Sequence, residues 1–344
     1  MIPDKILIIQ TAFLGDVVLT TPLIKAVRKK YPHSKIFFLL IPQTGELLKN
    51  NPFLDGVIVY DKKEKEKGIF SFLALAMKIR TSSFDLAVIP HRSFRSALLA
   101  YLARIPQRVG FDKSSGAFLF TKKIKYIQNQ SEAKRNLSLL ETDIPPENDC
   151  LPELFPSEDD FKYVEELFKN WDVKREDKIV GIAPGSVWNT KRWLPERFGE
   201  VAEALTEKLG AKVIFIGGKE DEKPCLEIAS NMKSKPLIAA GKTSPLQSAS
   251  LISRCRVILS NDTAPMHMAV AMRVPVVAIF GSTIPEFGFA PTGKNDLVIQ
   301  KEIYCRPCGI HGRKKCPEKH FRCMKEITEE EVFEGVVKIW SANL

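Results

Sequence analysis

The chain has 344 residues, enough for two domains of ordinary size, and 44% of them are hydrophobic, enough to bury real cores. No apolar run reaches the roughly 18 residues that a membrane-crossing helix needs, and Met1-Ile-Pro-Asp-Lys-Ile6 leads into a strand with no signal-peptide pattern, so the sequence reads as cytoplasmic. The net charge is +10, from 51 basic and 41 acidic residues. That excess serves solubility or an acidic partner; without a zinc finger, an RNA-recognition signature or a long arginine tract, nucleic acid is the weaker partner and a phosphorylated or membrane-surface one the stronger.

Lys5–Gln10 is a short apolar strand, and Asp16 to Lys30 reads as a helix with Val17, Leu23, Ile24 and Val27 near one face. Strands are expected at Lys35–Ile41, Gly56–Tyr60 and Asp85–Ile89, and helices at Phe70–Ile79 and Arg95–Ala103. The mixed-sign run Lys62–Lys67 reads as a solvated loop. This alternation predicts a doubly wound parallel sheet. It breaks around Pro145-Pro-Glu-Asn-Asp149, where a linker is expected, and Ser157-Glu-Asp-Asp160 opens a helix. The alternation then resumes: strands at Lys178–Ala183, Lys212–Ile216, Arg256–Leu259 and Val274–Phe280, helices at Pro195–Leu209, Glu222–Met232, Ser248–Cys255 and Pro265–Met272. Thr328 to Trp340 reads as a final amphipathic helix. The expected architecture is α/β, two Rossmann-like doubly wound domains.

The most informative stretch is Ile258-Leu-Ser-Asn-Asp-Thr-Ala-Pro-Met-His267. A buried strand runs straight into a helix with Pro265 in its first turn, which leaves free backbone N–H groups at the carboxyl edge of a sheet, where diphosphates bind. Asp262 and Thr263 offer capping oxygens there, and Ala264 is the first residue behind them. His267, one turn on, is either a satisfied core group or a donor to that site. The loop Gly181-Ile-Ala-Pro-Gly-Ser186 to Lys191-Arg-Trp-Leu-Pro195 follows another strand. It is a surface loop, or it sets Lys191 and the Ser186 hydroxyl on a phosphate. After the next strand, Asp221 and Glu222 either cap a helix or accept hydrogen bonds from ribose hydroxyls.

In the first half, Gly15 permits a close turn and Asp16 is either a helix cap or a carboxylate, held ionised by a helix N-terminus, that accepts a proton. The dinucleotide glycine fingerprint is absent from this turn, which argues against an NAD enzyme. His91, Arg92, Arg95 and, later, Arg135 are surface charge or the grip for an acidic acceptor. Cys305, Cys308, Cys316 and Cys323 lie in a short stretch that fits a structural metal, disulfides or free thiols, none of them needed for the chemistry.

These spaced motifs resemble the lipopolysaccharide heptosyltransferases of glycosyltransferase family 9. The likeness covers nearly the whole chain. It rests on the Gly15-Asp16 turn, Arg95-Ser-Ala-Leu-Leu99, Pro184-Gly-Ser to Lys191-Arg-Trp-Leu-Pro195, Ser260-Asn-Asp-Thr to Met266-His267, and Pro275-Val-Val-Ala-Ile-Phe-Gly-Ser-Thr283. The resemblance implies a GT-B fold: an acceptor-binding domain over residues 1–156, a nucleotide-sugar domain over 157–325 facing it across a cleft, and a terminal helix over 326–344 crossing back to the first. It implies inverting transfer from ADP-heptose to a phosphorylated Kdo-lipid A core at the cytoplasmic face of the inner membrane, without a required cofactor or catalytic metal. Asp16 would be the base, with Gly15, His91, Arg92, Arg95 and Arg135 on the acceptor. Lys191, Ser186, Thr263 and Ala264 would hold the donor diphosphate, and Asp221, Glu222, Asp262 and His267 the ribose and sugar. Ala264-Pro265 stands where many relatives carry Gly-Leu.

Overall fold

A computed structural model describes residues 2–61, 68–142 and 150–342. The expected loop Lys62–Lys67 and the expected linker at Pro145–Asp149 lie outside the described residues. The chain divides into two compact units, residues 1–155 and 156–344. No helix among the described residues is long and apolar enough to cross a membrane.

The first unit is a six-stranded parallel sheet. Its elements are β1 (Lys5–Ile9), α1 (Leu14–Val18), α2 (Thr21–Lys30), β2 (Lys35–Leu40), β3 (Gly56–Val59), α3 (Ile69–Thr81), β4 (Leu86–Ile89), α4 (Phe94–Leu102), β5 (Gln107–Phe111), β6 (Lys122–Ile124) and α5 (Glu132–Ser138). The strand order is β3-β2-β1-β4-β5-β6. The helix expected over Asp16–Lys30 is two helices. Pro22 lies in the first turn of α2 and cannot donate an amide to a continuous ladder. Thr20 fills the break by donating its hydroxyl to the Asp16 carbonyl at 2.7 Å. Ile6 to Ile9 and Leu86 to Ile89 are buried, as expected for central strands covered on both faces.

The second unit repeats the plan. After α6 (Glu158–Asn170) come β7 (Ile179–Ala183), α7 (Pro195–Leu209), β8 (Lys212–Phe215), α8 (Glu222–Ser230), β9 (Leu237–Ile238), α9 (Pro245–Ser253), β10 (Cys255–Asn261), α10 (Ala264–Ala271), β11 (Val276–Phe280), β12 (Leu297–Gln300), α11 (Arg322–Lys325) and α12 (Glu329–Ala342). The order is β12-β11-β10-β7-β8-β9. Numbered from each unit's own first strand, both sheets read 3-2-1-4-5-6, the order in which ligands bind beyond the strand ends where the winding reverses. That point is β1 beside β4 in the first unit and β7 beside β10 in the second, with Leu259 paired to Ile182 and Ser260 to Ala183.

Local chemistry explains the starts of α6 and α9. Ser157 and Asp160 exchange capping-box hydrogen bonds at the start of α6, and Ser244 and Gln247 do so at α9. The latter box, followed by Pro245, starts α9 before the Ser248 expected from the sequence. The terminal helix expected from Thr328 is α12. Val332, Val336, Ile339 and Trp340 of α12 belong to the second unit's core, packed with strand residues such as Val277 and Ile279. This apolar face is thus buried in the second unit.

Candidate active site

Each reversal point gathers the residues that the sequence singles out. In the second unit, β7 ends at Ala183 and the chain continues through Pro184, Gly185 and Ser186 to a short 3-10 turn at Asn189–Lys191. The neighbouring β10 ends at Asn261 and delivers Asp262 and Thr263 to the start of α10. The two loops are stitched together by Asn261, whose side chain is fully buried. Its Nδ2 donates to the Pro184 carbonyl at 2.8 Å, and its Oδ1 accepts from the Trp193 amide at 3.0 Å. Trp193, buried as well, donates its indole N–H to the Ile327 carbonyl and meets Phe198 edge-on at 5.0 Å between centroids. The loop carrying Lys191 is therefore anchored on both sides.

Lys191 and Asp262 form an ion pair of 2.6 Å, with side chains only 13% and 5% exposed. The same Asp262 oxygen accepts the Thr283 hydroxyl at 2.7 Å. A mostly buried ammonium held on a carboxylate is a positive charge in fixed position, beside the first-turn amides of α10, whose cap residue Thr263 makes no side-chain cap bond. His267 lies behind this pair. Burial, with the Lys191 charge, outweighs the pull of Asp262 and pushes the imidazole down to about 4, so it is neutral near pH 7.

Asp221 precedes α8 and accepts the Gly218 amide at 3.0 Å. Its carboxyl is raised above the usual range by burial, against the opposing Gly218 hydrogen bond. The carboxylate packs so closely on the Pro184-Gly185 turn that a Cβ at Gly185 would stand 2.0 Å from its Oδ1. Glu222, half-buried, lies against Gly241, which needs its φ of +76°. Ser186 is buried, and its hydroxyl accepts the Trp188 amide at 3.3 Å. Lys191, Ser186, Thr263, Ala264, Asp221, Asp262 and His267 thus all lie on the loops and helix start around one sheet edge.

In the first unit, Gly15 and Asp16 lie in the first turn of the short α1 after β1. His91 follows β4. Its Nδ1 is 3.0 Å from the Thr11 hydroxyl and 2.9 Å from that of Ser96, which ties the ends of β1 and β4 to α4. Arg92 stacks over Tyr126 at 4.4 Å, and Arg95 over Phe72 at 4.9 Å and Tyr60 at 5.4 Å. Arg135 lies on α5. It is fully buried, its Nε donating to Glu132 at 2.8 Å and one terminal nitrogen to the Gln128 carbonyl at 2.8 Å. An ion pair three residues apart on α5 accounts for a basic residue that spacing could not separate from the exposed ones.

The cysteine stretch lies in the second unit. Among the described residues, Cys305, Cys308, Cys316 and Cys323 form no disulfide. Among the described residues no group of three or more His, Cys, Asp or Glu is arranged to hold a metal. The stretch packs beside Lys191. The Thr190 hydroxyl accepts the Arg313 amide at 2.7 Å, Ser282 donates to the same hydroxyl at 3.0 Å, and the Cys308 amide donates to the Ser282 carbonyl at 2.9 Å. Gly312, at φ +79°, sits against the Lys191 stem. Cys323 belongs to the core. Sequence reasoning assigns this stretch no place in the site and gives Asn261 no role. Asn261 had one available signal, an amide at a strand end next to two singled-out residues.

Two similarly wound parallel sheets, with a lysine–aspartate pair and a helix start at the reversal point of the second, match the plan of GT-B glycosyltransferases. Residues 72–321 match the model of glycosyltransferase family 9 (heptosyltransferase), and the chain belongs to that family. It is 28% identical over 311 residues to the lipooligosaccharide heptosyltransferase 2 of Haemophilus ducreyi, covering 86% of this chain and 88% of that one. Among solved structures it resembles the family 9 glycosyltransferase of Veillonella parvula, with a TM-score of 0.88, 26% identity and 98% of each chain covered. It shares the fold of the Escherichia coli ADP-heptose lps heptosyltransferase II, with a TM-score of 0.80 at 24% identity over 98% of this chain and 99% of that one.

Proposed function

We propose that this protein transfers L-glycero-D-manno-heptose from ADP-heptose to the phosphorylated Kdo-lipid A or heptosyl-Kdo-lipid A core, with inversion at the anomeric carbon, at the cytoplasmic face of the inner membrane. The observation that carries the reading is the Lys191–Asp262 pair beside the start of α10. In this reading the Asp16 carboxylate takes the proton of the acceptor hydroxyl, whose oxygen attacks the anomeric carbon. A new C–O bond forms, the bond from that carbon to the diphosphate breaks, and ADP departs. Lys191 and the amides near Thr263 and Ala264 stabilise the charge that develops on the leaving diphosphate. Asp262 then exchanges part of its hold on Lys191 for the donor sugar, while Asp221 and Glu222 receive the ribose. Charge stabilisation from the protein means that no metal or cofactor is needed. His91, Arg92 and Arg95, at and beyond the β4 end, receive the acidic acceptor.

Asp16→Ala tests the assignment. ADP binding, followed by calorimetry, is expected to stay within about twofold of wild type while transfer falls by about 10²–10⁴, the usual contribution of a positioned base. Undiminished transfer would remove Asp16 as the base. Anomeric coupling constants in the product would show retention, not inversion, if the single-displacement mechanism were wrong.

A further inference from the structure

Helix α3 is apolar on two sides, and among the described residues only one side is buried in the first unit's core. Phe72, Leu75, Ala76 and Ile79 are buried in the first unit's core. Ile69 is 68% exposed, Phe70 85%, Leu73 42% and Met77 56%. At about 100° per residue these four fall within about a quarter to a third of the helix circumference, a continuous stripe distinct from the buried one. A helix that is hydrophobic all round is ordinarily covered all round, and contiguous exposed apolar surface marks an interaction face.

The charge around the stripe identifies what covers it. Lys78 and Arg80, both exposed, stand in the last turn of α3. The helix packed next to it, α4, adds exposed Tyr101, and Arg104 follows its end, exposed. Neither α3 nor α4 contains an Asp or Glu. The bias extends to the whole unit: residues 1–155 hold 23 Lys and Arg against 15 Asp and Glu, an excess of eight out of the chain's ten. Bulky apolar side chains flanked by lysine and arginine, on a strongly basic domain, match a bilayer with anionic headgroups. A second copy of this basic surface would place like charges together.

We propose that α3 is a membrane-docking helix: Ile69, Phe70, Leu73 and Met77 enter the headgroup–acyl boundary of an anionic bilayer while Lys78 and Arg80 meet lipid phosphates. The inference deepens the proposed function and rests on it for the lipid-anchored acceptor. The docked helix would bring the acceptor-binding unit to the surface where that acceptor is embedded.

Co-sedimentation of the full chain with phosphatidylglycerol-containing vesicles, without donor or acceptor, tests it. Wild type is expected to bind these vesicles, to bind pure phosphatidylcholine vesicles poorly, and to be released by salt. The double variant Phe70→Asp/Leu73→Asp is expected to lose at least about tenfold in partitioning, and Lys78→Glu/Arg80→Glu to lose binding to the anionic vesicles. All four positions are exposed, so thermal unfolding should match wild type. Transfer to a delipidated, water-soluble acceptor should be unchanged in both variants, which separates this inference from the proposed chemistry. Absence of wild-type binding, equal binding to neutral vesicles, or wild-type-like binding by the Phe70/Leu73 variant would overturn the proposal. So would a wild type that self-associates through this face, loses that association in the variant and ignores vesicles.

Discussion

Lys191 and Asp262 are costly to separate and inexpensive to replace together. Removing one partner of a buried pair leaves an uncompensated charge, at about 3–5 kcal/mol, whereas an apolar pair of similar size is often neutral or better. Lys191→Ala should therefore lower both stability and ADP affinity. The double variant Lys191→Met/Asp262→Leu should recover most of the stability and none of the ADP binding, measured by denaturant unfolding and calorimetry on the same preparations. Recovery of ADP binding would show that Lys191 has only a structural role. His267 allows a test by pH. Its folded value of about 4 lies below the 6.5 of the free side chain, so between these values the unfolded chain binds the extra proton. The neutral histidine's contribution is complete above about pH 6.5 and is lost as pH falls towards 4, at most about 3 kcal/mol by linkage. His267→Gln should flatten the stability profile across that window and leave it unchanged above pH 7.

At the scale of elements, the site depends on how two loops are held at the ends of β7 and β10. Asn261→Ala removes both hydrogen bonds and strands the Pro184 carbonyl and the Trp193 amide, at about 1–3 kcal/mol for each buried group left unsatisfied. It should also loosen the Lys191 loop, seen as faster amide exchange at Trp193 and weaker ADP binding. Asn261→Asp keeps the acceptor for Trp193 but sets a buried carboxylate oxygen against the Pro184 carbonyl, and should lose at least as much. The helix-start residues were readable in the sequence because a strand running into Asp262-Thr-Ala-Pro265 constrains the backbone locally. The roles of Asn261, Arg135 and the cysteine stretch were not, because each is set by a partner remote in sequence or by burial. Arg313 meets Thr190 across 123 positions, and nothing in the cysteine spacing encodes that meeting. The broken helix before Lys30 was readable in principle, since Pro22 is a local signal, but the apolar periodicity on either side of it hid the break.

For the whole molecule, alternating strands and helices made a doubly wound α/β chain legible, and family motifs in order made the GT-B form legible. The repeated 3-2-1-4-5-6 order was not, because strand order depends on which distant edges pair. The short strands β5, β6, β9 and β12 escaped as well. β6 is Lys-Lys-Ile and β9 has two residues, too little pattern for periodicity to register. If protein groups alone stabilise the departing ADP, exhaustive treatment with EDTA should leave the transfer rate within about twofold, whereas a loss restored by added divalent metal would reassign that role. The central claim is that the second unit's strand-end site holds ADP-heptose for transfer. The most direct measurement is product formation from ADP-heptose, GDP-sugars and UDP-sugars in parallel, with the same Kdo-lipid A and heptosyl-Kdo-lipid A acceptors. The account predicts a heptosylated product from ADP-heptose alone, and turnover only with a uridine or guanosine donor would contradict it.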